Sequence, residues 1–434
     1  MSWLDQYRLK LYVRNSIWIF PSLSIFAGLI AVTLLNRVDH ALDWKLNLGA
    51  DTAQTVMGTV AASMFTVVVV SSSAVLVAVQ LASAQLTPRI ILLVYRSRLR
   101  KLCVSAFVFT FTFSVAALVR IESTVPLLTS YVAAYGFLLN LALFLYFIDS
   151  MGKTLRPSSA LQAVGSAGRE VIQSVYPSKL KIEQPSVSKS SEILKKDPRR
   201  LIRNETDGVV LAFDRRGLIS LAERSNCLIE LIPEVGDFVA AGDPLFRIYE
   251  GGEDINVQSL RNAVALGQER TLEQDPMYAF RIIVDIASKA LSPAINDPTT
   301  AVLAIDQIHH LLRDVGSRSL AEGRETDRNG QLRLVYRTSN WEDFVLLAVT
   351  EIRQYGRDSI QIVRRLRAML DNLVETLPEK RAPMLRLELT LLEASSKRTF
   401  LDLYDQALAE TGDLQGMGGG DTKLHERQGV SAIA

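Results

Sequence analysis

The stretch VMGTVAASMFTVVVVSSSAVLVAVQLASAQLTPR, Val56 to Arg89, decides how the rest of the chain is read. It is too long and too apolar for a helix of a water-soluble domain, yet too polar along one line for a plain lipid anchor. At helical spacing Thr59, Ser63, Thr66, Val70, Ser73, Val77, Gln80, Ala84 and Thr87 fall on one side. Elsewhere between Val56 and Gln85 the strongly hydrogen-bonding side chains are Ser71, Ser72, Ser83 and Gln85. Lipid satisfies neither donors nor acceptors, so a membrane helix must turn such a stripe toward partner helices or toward water in a pore.

Working outward, four segments reach the roughly 20 apolar residues that span a bilayer: 16–35, 56–81, 102–119 and 125–147. The first continues too long for a signal peptide and has no small-residue cleavage site, so it reads as a retained span. Basic residues gather before it (Arg8, Lys10, Arg14), in the second loop (Arg89, Arg96, Arg98, Arg100, Lys101) and after the fourth span (Lys153, Arg156). The first loop sets Arg37 and Lys45 against Asp39, Asp43 and Asp51, and the third holds little but Arg120 and Glu122. Positive charge stays on the cytoplasmic side, which places both termini there. From Thr55 to Thr87 a continuous helix would be about 50 Å long against a hydrocarbon core of ~30 Å. It must tilt or project before Pro88 ends or kinks it.

Beyond residue 154 charges replace apolar runs. Leu161, Val164, Val171, Ile172 and Val175 suggest a short amphipathic helix, and the polar Lys- and Ser-rich stretch that follows reads as a linker to residue 205. Residues 206–254 read as short strands, with GVVLAF at 208–213 and CLIELI at 227–232. Gly236, Val239, Gly242 and Leu245 recur every three residues in VGDFVAAGDPLFRIY, a spacing that resembles the half-motif of a biotinyl/lipoyl-like barrel. No lysine stands in a modifiable hairpin, so no covalent cofactor is expected. Residues 255–410 read as helical, with Asp275-Pro276 and Asp297-Pro298 as two strong helix starts. The expected helices are 276–291, 298–315, 341–355, 358–376 and 381–408, with one strand at Leu332–Tyr336. The tail from 411 to 434, with its MGGGD, has no apolar periodicity and is expected to be disordered.

LVAVQLASAQLTPR (Leu76 to Arg89) and RTLEQDPMYAFRIIVDIASKALSPAINDPTTAV (Arg270 to Val302) carry a resemblance. From about Tyr12 to Leu408 the chain resembles the bacterial membrane-protein family catalogued as domain of unknown function 2254. The resemblance implies a bacterial inner-membrane protein and no particular reaction. The fold class expected is a membrane protein of four transmembrane α-helices, residues 1–154, followed by a cytoplasmic α+β domain. That domain joins a small lipoyl-like β-barrel module to a helical module.

Within Arg270–Val302, Arg281, Asp285 and Lys289 form an opposite-charge ladder on one helix face. Asp275, Asn296 and Asp297 stand at helix starts, and Thr299 and Thr300 offer hydroxyls beside free N–H groups that could take an anion. The competing reading is a rigid helix–turn–helix corner, since Asp297 as cap repels an anion. A metal at Glu273, Asp275, Asp285 and Asp297 is not expected, because two of the four carboxylates are already helix caps. His309 and His310 are adjacent, point in different directions, and make no metal pair.

A net charge of +2, with no basic run interleaved with aromatics, argues against nucleic acid as a partner. Cys103 and Cys227 form no CxxC pair and read as core residues. With no GxSxG, phosphate-binding loop, GxGxxG or HExxH, no catalytic residue and no enzyme are expected. No span contains a charge, which argues against an ion-coupled pump but not against a channel.

The function expected is therefore a homo-oligomeric channel. Thr59, Ser63, Thr66, Val70, Ser73, Val77 and Gln80 line it, Arg89 stands at the cytoplasmic mouth, and the cytoplasmic domain gates or senses. The alternative is a non-conducting scaffold or sensor whose cytoplasmic domain binds a ligand or partner protein. The expected partners are the lipid bilayer and further copies of the chain, with an ion or small ligand at the cytoplasmic domain left open.

Overall fold

The computed structural model describes residues 2–42, 49–91, 97–121, 125–180, 197–320 and 323–419. Asp43, Lys45, Arg96 and Glu122, used in the charge reading, lie outside them, as do 181–196 of the expected linker and 420–434 of the expected tail. The chain divides into two compact units, Lys10–Ala160 and Leu161–Ala434, the latter with Met1–Leu9.

The first unit holds the second half of α1 (Trp3–Asn15), then α2 (Ile19–Ala41), α3 (Ala50–Gln85), α4 (Arg98–Leu118) and α5 (Leu127–Thr154). Among the described residues α2 to α5 are the four helices long and apolar enough to cross a membrane. They contain the expected spans almost entirely and run further at several ends. α2 extends to Ala41 because Asp39, buried in a tertiary contact, caps the start of α5. Its carboxylate accepts from the Leu128 N–H at 2.8 Å, the Thr129 N–H at 3.0 Å and the Thr129 hydroxyl at 2.9 Å. Pro126, at the cap position of α5, offers no side-chain acceptor of its own. α3 is 36 residues long and ends at Gln85, after which Thr87 caps the short turn Pro88–Ile90.

α4 is the packing centre of this unit, in contact with α2, α3 and α5. Phe107 lies edge-on to Phe144 and Phe147, and the Asn140 amide donates to Thr110 Oγ1 at 2.6 Å. A Cβ on Gly28 would stand 3.2 Å from the Phe109 carbonyl oxygen, so the glycine sets how closely α2 approaches α4.

In the second unit β1 (Arg200–Arg203), β5 (Pro244–Tyr249), β3 (Leu228–Leu231), β8 (Leu332–Tyr336) and β7 (Gly323–Thr326) form one sheet in that order. β4 (Phe238–Val239), β2 (Gly208–Phe213) and β6 (Val264–Gly267) form a second. The local reading of the glycine half-motif holds. Gly236 and Gly242 take φ of +98° and +91°, and Val239 and Leu245 point inward at 3% and 1% exposure. The expected lipoyl-like barrel is not seen, because no closed barrel forms among the described residues. β3 pairs on one side with β5 and on the other, in parallel, with β8 from a hundred residues downstream. That pairing occupies the edge through which residues 206–254 would have closed on themselves. The end of the expected linker is also corrected, since residues 200–203 are β1, held antiparallel to β5.

Helix α7 (Arg215–Arg224), opened by Asp214 as cap, packs with Leu218 and Ala222 on the core of Ile229, Phe246, Ile248 and Leu334. α8 (Val257–Arg261) follows, and then the helical part: α9 (Pro276–Ala290), α10 (Pro298–Gly316), α11 (Trp341–Tyr355), α12 (Ile360–Thr376), α13 (Ala382–Thr399) and α14 (Leu403–Ala409). The single helix expected over 381–408 is two, because Phe400 is extended and Asp402 caps a new start. The amphipathic helix expected after the spans is α6 (Pro157–Val175), and Leu161, Val164 and Ile172 are fully buried. A Cβ on Gly168 would lie 2.8 Å from that of Ala279, so α6 sits directly on the helical core.

The expectation of disorder from residue 411 fails for 411–419. Buried Arg364 donates to the carbonyls of Thr411 at 3.1 Å and Gly419 at 2.8 Å, and Asp413 accepts from three N–H groups of the same segment. Polar anchoring holds this stretch, so apolar periodicity could not reveal it.

Candidate functional site

The stripe of α3 is the first candidate. Ala53, Met57, Val60, Ala61, Met64, Ser71, Ala78 and Ala82 are its buried residues, packed within the four-helix unit. On a helical wheel the stripe lies roughly opposite that face, at 100° per residue. Thr59, Thr66, Val70, Ser73, Val77 and Gln80 are exposed, and Ser63 is half-buried. Val70 and Val77 are 46% and 51% exposed, so from Val70 to Gln80 the stripe contributes little to packing within this unit. Thr59 and Thr66 turn their hydroxyls back to the carbonyls of Thr55 and Ala62, at 2.8 and 3.1 Å. Ser63, Ser73 and Gln80 have no hydrogen-bond partner among the described residues. Arg89 is exposed just past the helix, and Thr87 is buried.

The Arg270–Val302 motif does not make one site. Asp275 and the Asn296–Thr300 group stand at opposite ends of α9, about 22 Å apart at 1.5 Å per residue. At the far end Asn296 is exposed and left-handed, at φ +48°. Asp297 caps α10 by accepting from the Thr300 N–H at 3.0 Å and the Thr300 hydroxyl at 2.5 Å. Its carboxylate thus fills the place an anion would take, and Thr299 is exposed beside it. Along α9 the Arg281 guanidinium donates to Asp285 at 2.6 Å and forks onto both Glu351 oxygens at 2.5 and 2.7 Å. The ladder on α9 therefore serves to bind α11, and these two carboxylates push the Arg281 pKa up. Among the described residues no three metal-ligating acids, histidines or cysteines come together.

Asp275 belongs to a different place, a cleft of about 150 Å³. Its carboxylate caps α9 through the Tyr278 N–H at 3.0 Å and pairs with Arg270 Nε at 2.8 Å. Arg270 lies flat on Gly236, where a Cβ would collide with the guanidinium. Burial pushes the Asp275 pKa up to about 6 despite that cation. The pairing loses because Arg270 is 38% exposed and shares its charge with water, whereas Asp275 is 3% exposed.

The cleft has two walls. On one, Arg215 pairs with Glu325 at 3.0 Å, the Tyr336 hydroxyl donates to the same carboxylate at 3.3 Å, and the rings of Phe213 and Tyr336 meet edge-on at 4.8 Å. On the other, the Ser339 hydroxyl donates to Glu234, and the Tyr176 hydroxyl to the Ser339 carbonyl at 3.3 Å. Gln274 clamps the first wall, accepting from the Phe213 N–H at 3.1 Å and donating to its carbonyl at 3.3 Å. Burial pushes Glu234 up, Asp237 adds to this, and Ser339 and Arg337 oppose it. Burial likewise pushes the Tyr176 hydroxyl up, with Glu234 adding.

Of these lining residues the sequence singled out Asp275 alone. Gln274 and Pro276 flank it, and the others arrive from four further segments, 174–176, 213–215, 234–235 and 336–339, each too short to carry a motif. The signal available was the polar run Arg337-Thr338-Ser339-Asn340 directly before the Trp341 helix start.

A family model described as Predicted membrane protein (DUF2254) matches residues 14–372, which include every residue of the stripe and of the cleft. The chain is similar to two mycobacterial proteins, Mb1321c of Mycobacterium bovis and Rv1290c of Mycobacterium tuberculosis, each named an uncharacterized protein. Each is 24% identical to it over 448 residues, covering 97% of this chain and 83% of the relative. No solved structure matches the chain.

Proposed function

The chain belongs to the DUF2254 family of predicted membrane proteins, and from that premise we propose that it is a homo-oligomeric pore lined by α3. The observation that supports this is the exposed stripe opposite the packed face of α3. In a lone protomer Ser73 and Gln80 would meet lipid or headgroups without a partner, which is unfavourable within the hydrocarbon layer. Several copies with their stripes turned to a common axis give those groups water or one another. Four helices alone cannot enclose such a path, so the axis lies between protomers.

In this reading Val70 and Val77 form two apolar rings between the polar positions, and such constrictions gate by dewetting. Arg89 and the basic loop after it surround the mouth and raise the local anion concentration. The distribution of basic residues supports a cytoplasmic side for both termini and for the C-terminal unit, where that unit senses or gates, and the family resemblance supports the bacterial inner membrane as the bilayer. The test is ion flux into liposomes holding the purified protein. Flux that falls when Ser73→Val and Gln80→Leu are introduced supports the pore, and absence of flux at every applied potential and salt rejects it.

A second reading is a non-conducting sensor or scaffold. It is favoured by Thr59 and Thr66, whose hydroxyls close on their own helix and so need no water. It expects Gln80→Leu to leave the protein's behaviour intact.

A further inference from the structure

The charges around the cleft of the C-terminal unit do not cancel in the way its other contacts do. Arg215 is held by Glu325 and Arg270 by Asp275. Two charged lining residues remain, Glu234 and Arg337. Glu234 receives the Ser339 hydroxyl and no cation, and Arg337 has no hydrogen bond or ion pair among the described residues. They are close enough for Arg337 to favour the charged form of Glu234, yet they form no salt bridge with each other. An unpaired acid and an unpaired base therefore face one small cavity, lined between them by Phe213, Tyr336, Val235 and Val175.

From this we propose that the cleft binds a small zwitterion, an α-amino acid with an apolar side chain, with its ammonium on Glu234 and its carboxylate on Arg337. A ligand carrying both charges a few atoms apart satisfies both residues at once. A lone cation would leave Arg337 unpaired and a lone anion would leave Glu234 so. A cleft of about 150 Å³ is the scale of one small metabolite. The aromatic wall supplies the apolar surface for the side chain, and the Gln274 clamp on Phe213 keeps that wall in place before binding. Asp275 stays with Arg270 and α9, where it positions the floor of the cleft.

Binding is measured by calorimetry on the full-length protein in detergent, so the result does not depend on whether α3 conducts. L-Leucine is compared with 3-methylbutylamine, which lacks the carboxylate, and with 4-methylpentanoate, which lacks the ammonium. The remaining standard α-amino acids follow as a panel. At least one apolar amino acid should bind, and its amine and acid analogues should each bind about tenfold or more weaker, the scale of one lost charge-assisted hydrogen bond. Arg337→Gln should weaken the amino acid and leave the amine unchanged. Glu234→Gln should weaken the amino acid and leave the acid unchanged. Arg337 is exposed, so its substitution leaves the fold intact. The proposal is overturned if no standard amino acid binds, if an analogue with a single charge binds as tightly as the zwitterion, or if both variants bind as the parent does.

Discussion

Two polar runs stand out in this sequence, the stripe of α3 and the segment from Arg270 to Val302, and the structure treats them in opposite ways. In the second run the charges are consumed internally: Asp275 by Arg270 and α9, Arg281 by Glu351 and Asp285, Asp297 by Thr300. In the first, Ser73 and Gln80 are left facing outward, opposite the packed face of their helix. Polar groups satisfied within a protomer hold it together. Polar groups that a protomer leaves unsatisfied point to what lies outside it. Substitutions in the two runs should therefore separate stability from assembly and transport.

The largest stability effect is expected at Asp275. Replacement by Ala removes a helix cap, typically about 1 kcal/mol, and strips Arg270 of its partner, for about 2 kcal/mol in all. Thermal melts of the detergent-solubilised protein measure it. The same residue makes the run sensitive to pH. Its folded pKa of about 6 lies above the ordinary 3.8, so the folded state holds the proton more tightly. The stabilisation this gives, up to about 3 kcal/mol, is full below pH ~4 and is lost as the pH rises through ~6. Melts between those pH values should flatten in Asp275→Asn, which keeps a capping side chain but cannot titrate.

Arg281→Met should come next, at about 1 kcal/mol, because Glu351 is 41% exposed and water screens the fork. Hydrogen exchange should then speed up in α11, which the fork ties down. Asp297→Ala should have a smaller effect still, a cap alone at about 1 kcal/mol or less, read as faster exchange at the first turn of α10. If Asp297 proved as damaging as Asp275, burial would not be what distinguishes the two Asp-Pro starts. Smallest of all in stability are Ser73→Val and Gln80→Leu, within about 0.5 kcal/mol in melts. Their effect should appear in subunit association and flux.

How far the sequence reaches follows from which interactions are local. Asp-Pro announces a helix start within three residues, so α9 and α10 begin where expected. A 3.6-residue period is carried by one helix alone, so the stripe could be laid on a single side of α3. The positive φ of the glycines at 236 and 242 belongs to their own turns. Barrel closure was not local: β3 chose between closing a small barrel and pairing with β8, and the choice rests on a partner a hundred residues away. Glu351 lies 70 residues from Arg281. The cleft gathers five segments of two to four residues each, of which the Asp275-Pro276 start alone carries a site motif, and only their convergence gives Glu234 and Arg337 a common cavity. Asp39 shows the same limit in the other unit, since a residue counted as loop charge acts as the cap of a helix 89 residues later.

The most direct test of the account is the reach of water along α3. With Cys103 and Cys227 replaced, single cysteines would be introduced at Thr59, Ser63, Thr66, Ser73 and Gln80, at packed Ala61, Met64 and Ala78, and at Phe65, Val69 and Leu76 on the apolar exposed side. A membrane-impermeant thiol reagent applied to the protein in its bilayer should label the stripe with helical period and spare the other two sets. Protection of the stripe equal to that of Phe65, Val69 and Leu76 would place it against lipid or a neighbouring helix and contradict the pore.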